Sequence, residues 1–208
     1  GQAALNLANT LSKQQKWEEA EALYLRAIEI FDRKDQPSAK LAYPLLGLGV
    51  VHKKQGHLDE AAALYERAAA VAEAAYGPNH SLVSQSLMNL ANVEKRRGKL
   101  ERARELGRTA VRAVEARVGD EHPELAATLV DLADIEALLH DAPSARRDYE
   151  RAVAILEAGG HVDRDLAAAL MGLGDLQREA GELDAARANL SRAREILATR
   201  GHLDLPYA

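Results

Sequence analysis

Apolar residues recur at helical spacing along the whole chain, in paired segments that are separated by glycine. Between Ser81 and Arg97, leucine, alanine and valine fall every three or four residues, and the segment from Leu100 to Val118 repeats this spacing. Gly98 lies between the two segments, where a left-handed glycine commonly ends a helix. No segment shows sustained alternation of apolar and polar residues, which is the pattern of a half-buried strand. The pattern therefore predicts an all-α protein built from pairs of helices.

The stretch from Gln55 to Ala68, QGHLDEAAALYERA, returns in related form along the chain. Small residues recur in register at steps of 41 or 42 residues, in three columns: Ala8, Gly49, Ala91, Ala133, Gly174; Ala20, Ala61, Ala103, Ala145, Ala186; and Ala27, Ala68, Ala110, Ala152, Ala193. A fixed period of this size is typical of a solenoid of supersecondary units. The sequence therefore predicts a single domain of about ten helices over residues 1–208, with repeats at about 1–42, 43–84, 85–126, 127–168 and 169–208.

The copies follow, with departures, the pattern L-x-L-[AG] (as in LNLA and LGLG), then G-[HKE]-[LW]-[DE]-x-A, then [YL]-x-x-A. These motifs resemble the tetratricopeptide repeat, and the long period with its GPNHS and GDEHP loops resembles the kinesin-light-chain variety. The resemblance implies a right-handed α-α superhelix of five helix-turn-helix units, whose first helices line a concave surface. It also implies a non-catalytic scaffold for protein–protein interaction, such as a regulatory or recruitment module of a larger protein.

Three positions depart from the repeat. His140 stands where most copies have a turn glycine, and Pro143 enters the start of the helix that follows. Because proline is tolerated in the first turn of a helix, we expect Pro143 to leave its helix intact. The counterparts of Pro44 lie inside a first helix, so the first helix of the second repeat should start late or kink there.

In the first repeat we expect Leu7, with its neighbour Ala8 and with Leu11, to face the core.

Candidate binding residues are those on the first helices that do not face the predicted core. They are Asn6, Asn9, Lys13, Lys54, Asn89, Asn92, Arg96, Asp131, Asp134 and Asp175. Amides and cations dominate the first three repeats and carboxylates the last two, which predicts a groove with a basic part and an acidic part. Asparagine offers both a donor and an acceptor, which suits contact with the backbone of an extended peptide. The alternative interpretation is that this mixed surface is only solvated.

Other function classes find less support in the sequence. The chain has no cysteine, and it lacks H-E-x-x-H and the G-x-x-x-x-G-K-[ST] phosphate loop, so we expect no cofactor, metal or catalytic site. Four histidines (His80, His122, His161 and His202) recur in loops between repeats, where we expect them to cap or pack against helix starts. A clamp for chaperone C-termini is disfavoured, because its cationic positions here are Leu5, Gln85 and Asn89, and Gly47 stands at one of its asparagine positions.

Nucleic acid and membranes are also disfavoured as partners. The basic stretch from Glu94 to Arg108 is interleaved with glutamates and has no aromatic residue for base stacking, and the net charge of the chain is −5. No apolar run approaches the roughly 18 residues of a membrane span. The composition, rich in alanine, arginine and leucine, favours a bacterial protein, and we expect a cytoplasmic location.

Self-association is a further interpretation of the sequence. The last predicted helix, Leu183 to Gly201, carries Leu190, Ile196 and Leu197 without an evident polar capping helix after it, and the first repeat starts abruptly at Gly1. Terminal helices that are not capped could bind a second copy of the chain.

The small-residue columns make a direct prediction about packing. Replacing Ala103 with leucine should force two helices apart and lower the free energy of unfolding by ~1–3 kcal/mol. Thermal or denaturant unfolding of the Ala103→Leu variant measures this loss, and a variant as stable as the parent would contradict the helix-pair interpretation.

Overall fold

The computed structural model describes residues 1–32 and 39–201 of the chain. This described part is all-α, as predicted, and it contains no β-strand. The ten helices are α1 (Gln2–Lys13), α2 (Trp17–Asp32), α3 (Ala42–Gln55), α4 (Leu58–Tyr76), α5 (Ser81–Arg96), α6 (Leu100–Val118), α7 (Pro123–Leu138), α8 (Ala142–Ala158), α9 (Arg164–Glu179) and α10 (Leu183–Gly201). A short 3-10 helix, Ala39–Leu41, precedes α3. His202 and the rest of the fifth predicted repeat after it lie outside the described residues.

The helices fall into two compact units. The first unit, Gly1–Arg117, holds α1 to α6, and the second unit, Val118–Ala208, holds α7 to α10. In the first unit α1 to α5 pack against one another in chain order, and α1, α3 and α5 lie side by side. In the second unit α7 to α10 also pack in chain order, and α7 lies beside α9. Within each unit, therefore, first helices neighbour first helices, as the repeat predicts.

Small residues are buried where paired helices meet. Ala20, Ala61, Ala103 and Ala145 have no exposed surface, and Ala186 is 3% exposed. The second alanine column is fully buried as well, at Ala27, Ala68, Ala110, Ala152 and Ala193. A methyl side chain lets two helix backbones approach closely, whereas a larger side chain at the same contact would overpack it. The small-residue columns are therefore the contacts that the sequence predicted.

The expectation that Leu7 faces the core is wrong. Leu7 is 51% exposed, and the neighbouring Leu5 occupies the core in its place, beside Ala8 and Leu11. The counterpart of Leu7 in the second repeat, Leu48, is buried because it packs into the apolar cluster of the first hairpin. This position of the repeat thus faces the preceding hairpin, and among the described residues no hairpin precedes α1.

Pro44 delays the start of α3. Each of α5, α7 and α9 begins three residues earlier in the repeat than α3 does, and in α3 those three positions form the 3-10 helix. Proline lacks an amide hydrogen and its ring collides with the carbonyl four residues before it, so a regular α-helix cannot include Lys40 and Pro44 together. Pro143 lies in the first turn of α8 without breaking it, and the Asp141 side chain caps that helix by accepting from the Ser144 amide.

Two hairpin turns hold a residue other than glycine in the left-handed conformation. Gln15 has φ of 61° and His140 has φ of 57°, whereas the corresponding residue Gly98 has φ of 77°. A side chain makes this conformation costly, because Cβ crowds the following carbonyl oxygen. The first and fourth hairpins therefore carry backbone strain at their turns.

Glycine at either strained turn should stabilise the protein. We expect Gln15→Gly and His140→Gly each to raise the free energy of unfolding by about 0.5–1 kcal/mol, once the greater flexibility of unfolded glycine is deducted. Urea unfolding of the two variants provides the measurement. Gly98→Ala is the matched control and should lower the free energy of unfolding. A Cβ on Gly98 would meet no atom within 4 Å, so this loss would come from the left-handed backbone conformation alone. A loss of stability in both glycine variants would show that the backbone at Gln15 and His140 is not strained.

Candidate functional site

A pocket of about 450 Å³ lies on the face that α1, α3 and α5 form in the first unit, here called the first-helix face. It is lined by Asn9, Ser12, Lys13, Tyr24, Tyr43, Leu46, Gly47, Val50, Ser81, Leu82 and Gln85. The predicted residues Asn9 and Lys13 are therefore brought together at this pocket. The contribution of Tyr43 and Leu46 to its apolar lining was not predicted from the sequence.

Tyr24 of α2 reaches through to the pocket from behind. Its hydroxyl donates to Asn9 Oδ1 at 2.7 Å, and its side chain is almost completely buried. Burial raises the pKa of Tyr24, so the hydroxyl stays protonated and remains a donor. The ring fits because Gly47 has no side chain: a Cβ on Gly47 would lie 2.5 Å from the ring. Glycine in α3 thus makes room for a tyrosine from the preceding hairpin.

The second unit contains the same arrangement. The Tyr149 hydroxyl of α8 donates to Asp134 Oδ1 at 2.6 Å, and Tyr149 packs on Gly172, where a Cβ would lie 2.3 Å from the ring. Burial, followed by the hydrogen bond to Asp134, raises the pKa of Tyr149. Asp134, predicted as a binding residue, is thus also the acceptor that holds a buried tyrosine.

Tyr65 in the second hairpin packs in a different direction. The residue that corresponds to Gly47 is Asn89 in the third repeat, so the next hairpin offers no glycine at this position. Instead Tyr65 packs on Gly49 of its own hairpin, where a Cβ would lie 2.6 Å from the ring. Its buried hydroxyl has no hydrogen-bond partner among the described residues, and the position that holds the acceptor Asn9 in the first repeat holds Val50 here.

A single rule describes the large side chain at this position of the second helix. A side chain here can pack on a first-helix residue of its own repeat, as Tyr65 does on Gly49, or of the next repeat, as Tyr24 does on Gly47. A tyrosine occurs only where at least one of these two residues is glycine. In the third repeat those positions are Ala91 and Asp131, and the tyrosine position is itself Gly107. In the fifth repeat Leu190 takes the place of tyrosine and packs on Gly174.

The predicted residues at the ends of α3 and α5 are largely engaged in contacts within the first unit. Asn89 accepts from Lys53 Nζ at 2.7 Å and donates to the Gln85 carbonyl at 3.0 Å. Arg96 donates to the Lys53 carbonyl at 3.0 Å. The two bonds that involve Lys53 link α3 to α5, so Asn89 and Arg96 help to hold the first-helix face together. By contrast, Lys13 and Lys54 are exposed and have no hydrogen-bond or ion-pair partner in the described part of the chain.

The remaining predicted residues are distributed between the two units. On α1, Asn6 accepts from Gln2 at 3.1 Å, and Asn92 on α5 is half-buried. In the second unit Asp131 is half-buried, and Asp175 pairs with Arg178 at 3.2 Å. The first helices of the second unit thus present carboxylates, whereas those of the first unit present amides and cations.

The loop histidines act as helix caps in two cases. The Nδ1 atom of His80 accepts from the Leu82 amide at 3.2 Å, and that of His122 accepts from the Glu124 amide at 3.1 Å. Both histidines thus satisfy one free amide at a helix start. Among residues 1–32 and 39–201 no cluster of three histidine, aspartate or glutamate side chains could hold a metal ion. None of the helices described is long and apolar enough to span a membrane.

The packing of Tyr24 on Gly47 can be tested by a double-mutant cycle. In the parent, Gly47→Ala should lower the free energy of unfolding by ~1–3 kcal/mol, because the added methyl group collides with the ring. In a Tyr24→Leu background the same change should be neutral or stabilising by up to ~1 kcal/mol, since alanine favours a helix over glycine. Equal effects in the two backgrounds, measured by urea unfolding, would show that the glycine does not serve the tyrosine.

The family model of the tetratricopeptide repeat matches residues 1–74, 40–116, 82–158 and 124–199. No curated protein matches the sequence. Among solved structures, BtubC (BKLC) from P. vanneervenii is similar, with 25% identity and a TM-score of 0.84 over 97% of this chain and 81% of that chain.

Two more distant structures share the fold. A kinesin light chain protein of Podosopora anserina with nearly identical TPR-like repeats has 21% identity and a TM-score of 0.78, over 96% of this chain and 95% of that chain. MamA has 13% identity and a TM-score of 0.66, over 94% and 96%. Proteins with this fold generally mediate protein–protein interactions and are typically non-enzymatic scaffolds. Since the four matched segments span nearly all of the described helices, the chain belongs to the tetratricopeptide repeat family.

Proposed function

We propose that the chain is a non-catalytic scaffold that binds an extended peptide, or an extended segment of a partner protein, on the first-helix face of its first unit. The observation that carries this proposal is the pocket of about 450 Å³, in which apolar side chains from α3 lie beside polar groups from α1 and α5. Sites of this kind, mainly apolar with a few placed polar groups, are typical of ligand recognition. Tyr43, exposed over 44% of its surface, and Leu46 supply apolar area for an anchoring side chain.

The charges around the pocket favour an acidic partner segment. Lys13 lines the pocket and Lys54 lies at the corresponding position of α3, and neither has an acidic partner in the described residues. Carboxylates of a peptide would therefore form ion pairs with Lys13 and Lys54 without displacing existing ion pairs. Such complementarity contributes to specificity and to the association rate.

Amide side chains of the first-helix face would supply hydrogen bonds to the peptide backbone. Asn9 already accepts from Tyr24, which leaves its amide nitrogen to donate to a peptide carbonyl, and Gln85 presents a second amide at the far side of the pocket. The predicted residues Asp131, Asp134 and Asp175 lie on the first helices of the second unit and are not part of this proposed site. The setting that we propose is a recruitment or regulatory module of a larger bacterial protein in the cytoplasm.

Nucleic-acid binding is a weaker candidate, because several cations of the basic stretch are already paired with carboxylates. Arg97 pairs with Asp59 at 2.5 Å and with Glu94 at 2.6 Å, and Lys99 also lies near Glu94. Arg104 pairs with Glu101 at 2.5 Å in the same helix. Phosphates would have to compete with these carboxylates, which would lower the gain from counterion release.

Selection of peptides on the protein tests the proposal. A library of random dodecapeptides displayed on phage, selected on the immobilised chain, should enrich sequences with an apolar residue flanked by aspartate or glutamate. The Lys13→Glu variant should bind the selected peptides roughly tenfold more weakly by fluorescence anisotropy, because it replaces an attraction with a repulsion. Its melting temperature should match that of the parent, since Lys13 is exposed and unpaired.

Arg26→Glu is the matched control. Arg26 is an exposed cation on α2, away from the pocket lining, and it too has no acidic partner among the described residues. The proposal fails if the selected peptides lose as much affinity for this variant as for Lys13→Glu, or if the selection yields no peptide that depends on Lys13.

A further inference from the structure

One face of α10 has the composition of an interhelical contact, and its residues Leu183, Arg187 and Arg194 are exposed. It consists of Leu183, Ala186, Arg187, Leu190 and Arg194, which recur at helical spacing, together with Arg178 of α9 and Ser191, and is here called the α10 face. These residues line a cavity of about 440 Å³. Leu183 is 61% exposed, which is a large apolar exposure for a residue whose counterpart Trp17 packs against the core of the first hairpin.

The preceding hairpin of the same unit shows what covers the equivalent face. On α8, Arg146 holds the position of Arg187, and it donates to Glu182 of the next hairpin at 2.7 Å. Tyr149, at the position of Leu190, packs on Gly172 of the next hairpin. This stripe of the second helix is therefore the surface on which a following helix lies, with a carboxylate meeting the arginine.

The charges of the α10 face indicate which kind of helix would bind there. Arg187 and Arg194 have no acidic partner in the described part of the chain, and no acidic residue lines the cavity. Arg178 pairs with Asp175 on the same helix. An apolar stripe bordered by unpaired guanidinium groups is complementary to an amphipathic helix whose apolar side is flanked by carboxylates.

We propose that the α10 face is a second binding surface, and that it takes an acidic amphipathic helix from a partner protein. The helix lies along α10 as α9 lies along α8, its apolar side fills the cavity beside Leu183 and Leu190, and one of its carboxylates binds Arg187. This surface is in the second unit and is separate in its lining residues from the pocket beside Lys13.

A second copy of this chain is a poor occupant of the α10 face. Stacking in the register of the repeat would place α1 and the turn after it on α10, and Lys16 occupies the position that Glu182 holds. Lys16 would then face Arg187, a contact between like charges. Adjacent second helices are also linked by ion pairs, such as Arg67 with Asp32 at 2.6 Å, but on α10 the acidic position is Ala198. A copy stacked there would leave its own Arg26 unpaired.

The chain itself supplies a probe for the test. A labelled synthetic peptide of residues 164–182 reproduces α9 with Glu182, which is the acidic helix that covers the equivalent face of α8. We expect saturable binding to the intact protein by fluorescence anisotropy below ~1 mM. Arg187→Glu should weaken binding at least fivefold, and the probe carrying Glu182→Arg should recover most of the lost affinity on that variant. Lys13→Glu, the control in the other pocket, should bind the probe as the parent does.

Three outcomes would overturn the proposal. The first is no binding up to 1 mM, or binding that Arg187→Glu leaves unchanged while circular dichroism shows the variant folded. The second is binding that is lost in Arg146→Glu, because the probe would then have displaced α9 from α8. The third is a dimer of the intact chain in light scattering that Leu183→Glu dissociates, because the occupant would then be a second copy.

Discussion

The close approach of paired helices is the constraint on which the rest of this structure depends. Aromatic residues are few, so the interior is built from alanine, leucine and valine, and the alanine columns are buried in every hairpin. Interiors are packed at crystal-like density, so small residues at fixed positions set the distance between backbones. Once that distance is set, the first helices come to lie next to one another, and the pocket beside Lys13 is formed from their outer sides.

The tyrosine of the second helix adds a second level of order to this packing. Tyr24 and Tyr149 each extend from the second helix of a hairpin to its first helix, where their hydroxyls donate to Asn9 and Asp134. Two residues that the sequence predicted as partner-binding therefore also satisfy a buried hydroxyl. A loss of binding on changing Asn9 or Asp134 has to be compared with stability before it is assigned to contact with the partner.

The sequence predicted the helices, the repeat and the buried alanines, because each follows from spacing within one repeat. It failed at Leu7, whose environment depends on a neighbouring hairpin rather than on its own position in the repeat. It also missed Tyr43 and Leu46 in the pocket lining, and it missed the role of Tyr24, which depends on the contact of Tyr24 with Gly47 in the following repeat. A comparison of the glycine positions between adjacent repeats is the signal that could have revealed this pairing.

The tyrosine–glycine pairing means that the hairpin is not an interchangeable module. Cutting the chain between α2 and α3 separates Tyr24 from the glycine that accommodates it, whereas Tyr65 and Gly49 would travel together. Deleting the second repeat would bring Tyr24 against Asn89, where no space is provided for its ring. Duplication and shuffling of repeats, in evolution or in the laboratory, should therefore preserve junctions rather than whole hairpins, and the number of repeats can change freely only where the side chains on both sides of the new junction match.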